Sequence, residues 1–172
     1  MSAAGAPDRR FPGLTSISFV PVAELEQRAV RLGFEYWQRQ RGTRKFPARG
    51  QIRPNEIAPA LSHSSLIKVW DGGADFEVRI AGDAMNYAYR APLNGRLISD
   101  IATELPLMAS RWRSIFSEII ATGLPVAVRT RAGHDLPETN FSDSEAVFLP
   151  LGETDETVDH MLLFAQHERR TS

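Results

Sequence analysis

Cysteine is absent from all 172 residues. That absence removes disulfides, thiolate zinc sites, iron–sulfur clusters, cysteine nucleophiles and cysteinyl flavin adducts. Histidine is scarce, with four in the chain, and none falls within residues 106–122, which read below as the longest core helix. No apolar run approaches the roughly 20 residues needed to cross a bilayer, and Met1-Ser2-Ala3-Ala4-Gly5-Ala6-Pro7 lacks the apolar core of a signal peptide. The expectation is a cytoplasmic protein without a membrane partner. Net charge is also nearly absent, at −1, but the balance hides two poles. Between Arg28 and Arg53 stand eight bases and one acid, a net +7, and between His134 and Asp159 stand eight acids and no Lys or Arg, a net −8. Such runs are solvated faces in most chains. The alternative is that one pole docks on the other, within the chain or across a dimer, or addresses a charged partner.

What is present reads as one domain. Residues 1–19 contain Gly5, Pro7, Pro12 and Gly13 without periodicity and are expected to be a flexible lead-in, with the domain over 20–168 and a short tail over 169–172. From Pro21, the residues Val22, Leu25, Ala29, Leu32 and Tyr36 recur at helical spacing, which predicts an amphipathic helix over 21–42. Leu66 to Trp70, the turn Asp71-Gly72-Gly73-Ala74 and Asp75 to Ala81 carry a hairpin signal, and in the second arm Phe76, Val78 and Ile80 alternate with Glu77, Arg79 and Ala81. Short helical pieces follow over 83–89 and 97–104. Then comes an amphipathic helix after Pro106 that ends at Gly123 and Pro125, and three strands over 126–131, 146–151 and 158–166. The hairpins force antiparallel neighbours, so the order calls for an α+β fold with a five-stranded antiparallel sheet and helices packed on one face.

In this order the chain resembles a PAS domain, and in particular the small bacterial proteins in which that domain is essentially the whole chain. The resemblance rests on several segments. These are Tyr36-Trp37 and the basic stretch to Pro47, Arg49 through Ile57, Asp75 to Gly82, Leu93-Asn94-Gly95-Arg96, Leu149-Pro150-Leu151 and Met161-Leu162-Leu163-Phe164. Two positions depart from the pattern. Arg53 precedes Pro54 where an acidic or hydroxyl cap is expected, and Tyr89-Arg90 stands where the family tends to have an aromatic residue followed by glycine. The resemblance implies strand order 2-1-5-4-3, a cavity between sheet and long helix, and a preceding helix that commonly mediates dimerisation. It thus points to a signal-transduction sensor acting through protein–protein contacts. Val22, Leu25, Leu32 and Tyr36 are then the expected homodimer interface.

Other chemistry finds little support in the residues. A haem sensor needs an axial histidine, usually on the long helix, so haem is disfavoured, with His160 and His134 left as the ligands to test. Non-covalent flavin is not singled out, and the cofactor stays unknown. His160 and His167 fall on a strand and assemble no metal set, so no metal site is expected. Ser64 and Ser65 beside His63 form no nucleophile elbow, and Gly72-Gly73 lacks the helix and Lys of a phosphate loop. Asp83 and Asp100 are the acids that border the expected cavity, as an isomerase-type alternative would require. No catalytic residue is assigned. The expected cavity would be lined by Trp70, Trp112, Phe116, Ile119 and Phe148, with Asn86, Tyr87 and Tyr89 as polar edges. Such a set suits a pocket for a small apolar or aromatic ligand and suits a filled core equally. Arg79 is read as an exposed strand residue, or as reaching an acid such as Asp100. Nucleic-acid binding through the basic 28–53 segment, with Tyr36, Trp37 and Phe46 interleaved, is the rival class; no binding motif accompanies it. The reading is a non-catalytic sensory module with a client protein still to be identified.

Overall fold

The computed structural model describes residues 17–131 and 139–169. The expected lead-in up to Ser16, His134 and the tail beyond Arg169 lie outside the described residues. Seven strands form one antiparallel sheet: β1 (Ile17–Val20), β2 (Ser64–Trp70), β3 (Asp75–Ala81), β4 (Arg96–Leu97), β5 (Val126–Arg131), β6 (Asp143–Leu151) and β7 (His160–Glu168). Their order is β1-β5-β6-β7-β2-β3-β4. The expected five-stranded sheet is thus corrected to seven. The five anticipated strands lie side by side in the middle, and two short strands that sequence patterning missed are added at the edges. Four and two residues are too few to display a period of two.

The helices are α1 (Arg28–Arg41), α2 (Asp83–Ala88), α3 (Ile98–Ile101) and α4 (Pro106–Thr122), with a kinked 3-10 segment over Pro54–His63. Gly123 takes φ +66 and donates its N–H to Ile119 O, so it closes α4 as a left-handed glycine cap. In the β2–β3 turn, Asp71, Gly72 and Gly73 all have positive φ, which the Gly pair accommodates. Arg90, where the family favours glycine, also sits at φ +54. Its Nε donates to Asn140 Oδ1 at 2.7 Å, a local bond that helps hold a backbone shape disfavoured for a side chain.

The expectation of helices on one face needs correction, because both faces are covered. On the inner face α4 packs its Phe116 against Phe148 of β6 and Phe76 of β3. On the outer face α1 lies over β6 and β7. There Gly33 leaves room for the Phe164 ring, which a Cβ would strike, and Trp37 Nε1 donates to Pro150 O at 2.9 Å.

The first helix is also shorter than expected. Residues before Arg28 are extended apart from one 3-10 turn over Val22–Glu24, so Val22 and Leu25 are not on α1. The reason lies in Glu145 on β6, which is 2% exposed. Its carboxylate accepts the N–H groups of Glu26 at 3.0 and 3.1 Å and of Gln27 at 2.8 Å, and pairs with Arg129 at 2.8 Å. Arg129 reaches back to Glu24 O at 3.2 Å. A buried carboxylate anchored in the sheet therefore fixes where the helix begins, more firmly than the local preference of Pro21 for a first helical turn. Removing one partner of a buried ion pair strands the other charge. Glu145→Ala is expected to lower unfolding free energy by about 3 kcal/mol in urea titration, with Glu145→Gln losing less. Gly33→Ala is expected to cost about 1–3 kcal/mol by forcing α1 away from Phe164.

Candidate functional site: a groove on the outer face of the sheet

The space between α4 and the sheet is occupied by rings. Phe76 meets Phe116 at 4.9 Å between centroids, Phe116 meets Trp112 and Phe148 at 5.9 Å each, and Trp112 meets Tyr89 at 5.5 Å. Tyr89 in turn packs edge-on against Phe141 at 5.5 Å and His167 at 5.4 Å. Burial pushes the Tyr89 hydroxyl up to about 12. The His167 residue keeps some surface, but its Nδ1 is inaccessible and has no hydrogen-bond partner among the described residues. Burial, assisted by neighbouring His63, holds its imidazole down at about 3.

An open, partly apolar concavity lies on the opposite face. It is created by a bulge. Along β2 and β3, Leu66 pairs with Ile80 but Ile67 pairs with Val78, so Arg79 is an extra residue. The bulge shifts the phase of the strand. Phe76 and Val78 are buried inside, whereas Ile80 emerges outward at 52% exposure and Ala81 takes the buried place. A one-residue slip of this kind moves side chains to the other face, and here it turns Ile80 toward solvent beside Arg79, which alternation already places outward. Gly82, the next residue, sits where a Cβ would collide with the Ser62 carbonyl, so the 3-10 segment can cross close to the end of β3.

The groove that results has an apolar hollow of about 230 Å³ between Ile52, Ile57, Leu61, Leu66, Leu162 and Ile80. It continues past Arg49 and Ile80 into an open hollow of about 460 Å³ that is lined also by Lys68, Arg79 and His160. Arg79 Nε pairs with Glu77 Oε2 at 2.6 Å, and His160 Nδ1 pairs with Asp159 at 2.8 Å. Lys68 Nζ stands 4.0 Å from the centre of the Trp70 ring, on the same outer surface. Among the described residues no group of three or more His, Asp or Glu could hold a metal ion, and no helix is long and apolar enough to cross a membrane.

Comparison with known proteins settles the family. The PAS domain family model matches residues 25–164. The chain belongs to the PAS domain family. No curated protein and no solved structure matches it.

Within this PAS domain the anticipated ligand residues part company. Trp112, Phe116, Ile119 and Phe148 are brought together and buried. Trp70 is not with them, because it follows Leu66 and Lys68 on the outer side of β2 and is 38% exposed. Tyr87 points to solvent at 67% exposure. Asn86 braces its own loop, accepting Leu93 N–H at 2.9 Å.

Of the anticipated interface residues, Leu25 and Tyr36 are buried in their own chain and Val22 and Leu32 are half-buried. The Tyr36 hydroxyl receives Arg53 N–H at 2.9 Å and donates to Gln51 O at 3.3 Å, which orders the turn before Pro54 in place of a side-chain cap. Asp83 and Asp100 are exposed, and Arg79 reaches Glu77 rather than Asp100. Asp75, by contrast, bonds across elements, to Ser99 and Arg113. Burial works to raise its carboxyl, but hydrogen bonds from Ser99 and from backbone N–H groups, together with Arg113, hold it below the usual value. Among the described residues the two charge poles form one ion pair, Arg44 with Asp155 at 3.4 Å, and Arg44 also donates to Gly152 O at 2.9 Å. Sequence patterning missed the groove because its members are drawn from five separate segments. The one local signal, Ile80 in an alternating strand, pointed inward.

His167 makes the interior sensitive to pH. Its folded-state value lies below its ordinary 6.5, so between the two the unfolded chain binds the proton that the folded chain refuses. Its neutral form contributes fully above about pH 6.5, and that contribution is lost as pH falls toward about 3. Urea midpoints measured across this range should fall with acidification, and His167→Phe should flatten the slope.

Proposed function

We propose that this PAS domain is a non-catalytic signalling module that works by protein–protein contact through the outer-face groove, without an internal ligand. One contrast carries the reading: the interior is filled by contacting rings, while three large exposed apolar side chains, Leu61, Trp70 and Ile80, stand in or beside a single groove. Contiguous apolar surface rimmed by polar groups marks interaction sites, and its exposure here follows from the bulge and from α1 stopping at β7. The anticipated dimer stripe supports this role less well, since Leu25 and Tyr36 are spent on the domain itself.

In cells of the source organism, cross-linking through a tagged chain should recover client proteins that are lost with Ile80→Asp. They should be retained with Leu124→Asp, which changes an exposed apolar residue outside the groove lining. Clients that survive Ile80→Asp, or a small molecule retained by the folded chain in native mass spectrometry, would overturn the reading.

A further inference from the structure

Resting on that groove as the contact surface, we infer that its partner is an acidic amphipathic segment of a client protein, with apolar side chains in the hollow and carboxylates at Arg49 and Lys68. Two observations lead there. The first is charge. Of the four basic residues in the groove, Arg79 and His160 are matched by Glu77 and Asp159. Among the described residues Arg49 has no ion pair or side-chain hydrogen bond, and Lys68, opposite Glu77 in the strand register, forms no ion pair and holds its ammonium over the face of Trp70. Two cations at the mouth of an apolar hollow are thus left without carboxylates, and a partner that supplies them gains both attraction and register.

The second observation is shape. Small-molecule pockets enclose most of their ligand's surface, whereas this groove is open along the sheet, with Ile80 and Leu61 still 52% and 40% exposed. Covering it takes a chain segment, which can seat several side chains and exclude water from all of them. The sheet offers its face here, so the mode is a segment laid across strands with apolar anchors on one side, as amphipathic helices do in other grooves. The same uncompensated cations disfavour a basic segment, which would meet like charge.

The probe is a fluorescein-labelled peptide of Leu and Glu with Leu at helical spacing, compared with a twin in which Lys replaces every Glu. Both are titrated into the full chain by fluorescence anisotropy, and contacts are mapped by backbone-amide NMR. The acidic peptide is expected to shift residues of β2, β3 and the 54–63 segment, and to bind about tenfold or more tightly than its basic twin. Lys68→Glu with Arg49→Glu should reverse that preference, Ile80→Asp should abolish binding of both peptides, and raising salt from about 0.05 M to about 0.5 M should weaken the acidic peptide. Equal binding of the two peptides, shifts outside the groove, or indifference to the charge reversal overturns the inference. A dimer seen by light scattering that dissolves on Ile80→Asp overturns it in favour of a second copy. Because Lys68 and Arg49 lie at the surface, their variants test the charge claim even if Ile80→Asp perturbs β3. Loss of cellular clients on Ile80→Asp without any preference for the acidic peptide leaves the groove as contact surface and removes only the chemistry assigned to its partner. Survival of those clients removes both.

Discussion

A buried carboxylate organises the outer half of this molecule. Glu145 projects from β6 toward the start of α1, takes the N–H groups of Glu26 and Gln27, and holds Arg129 against the Glu24 carbonyl. The chain must reach this point from β1 and leave it as a helix, so both the first residue of α1 and its direction over β6 and β7 are set. With α1 seated there, Phe164 fits under Gly33 and Trp37 bonds to Pro150. The strip of sheet beyond β7 is then left to the 3-10 segment, which covers only part of it. The groove is what remains uncovered. A charge that in isolation would resist burial is tolerated because three donors, the N–H groups of Glu26 and Gln27 and the Arg129 guanidinium, converge on it, and it gives the helix a defined place that an apolar contact would leave free to slide.

The features legible in the sequence were those written in local chemistry. The Gly-Gly turn, the glycine after α4 and the long amphipathic stripe need no knowledge of the rest of the chain, and they gave the central strands and the long core helix. The Arg79 bulge was hidden for the opposite reason. Residues 76–81 alternate cleanly, and a strand read from alternation alone places Ile80 with Phe76 and Val78. The phase slips because the chain over 61–64 crosses the end of β3 at Gly82, a constraint that comes from residues about twenty positions upstream. Trp70 misled similarly. An aromatic residue at a strand end suggests a pocket, but its side follows from counting along β2 from Leu66 and Lys68.

The start of α1 shows the limit of periodicity. Val22 and Leu25 continue the helical spacing of Ala29 and Tyr36, but the spacing cannot see Glu145 more than a hundred residues away. Family resemblance recovered the five central strands and the inner helices, but not the two edge strands that make the sheet seven-stranded. It said nothing of the groove, which depends on a bulge, a glycine and a helix end.

The two strands that patterning overlooked change how the molecule can meet others. β1 ends at Pro21, and β4 pairs only Arg96 and Leu97 with β3, while the Asn94 side chain takes up the Ala81 N–H. Among the described residues both margins of the sheet are therefore short and partly capped, which discourages strand-by-strand addition of a neighbour and the open-ended stacking that follows from it. A partner of the kind proposed would be turned away from the rim and toward the flat. Association on the proposed groove would then saturate at one occupant per domain.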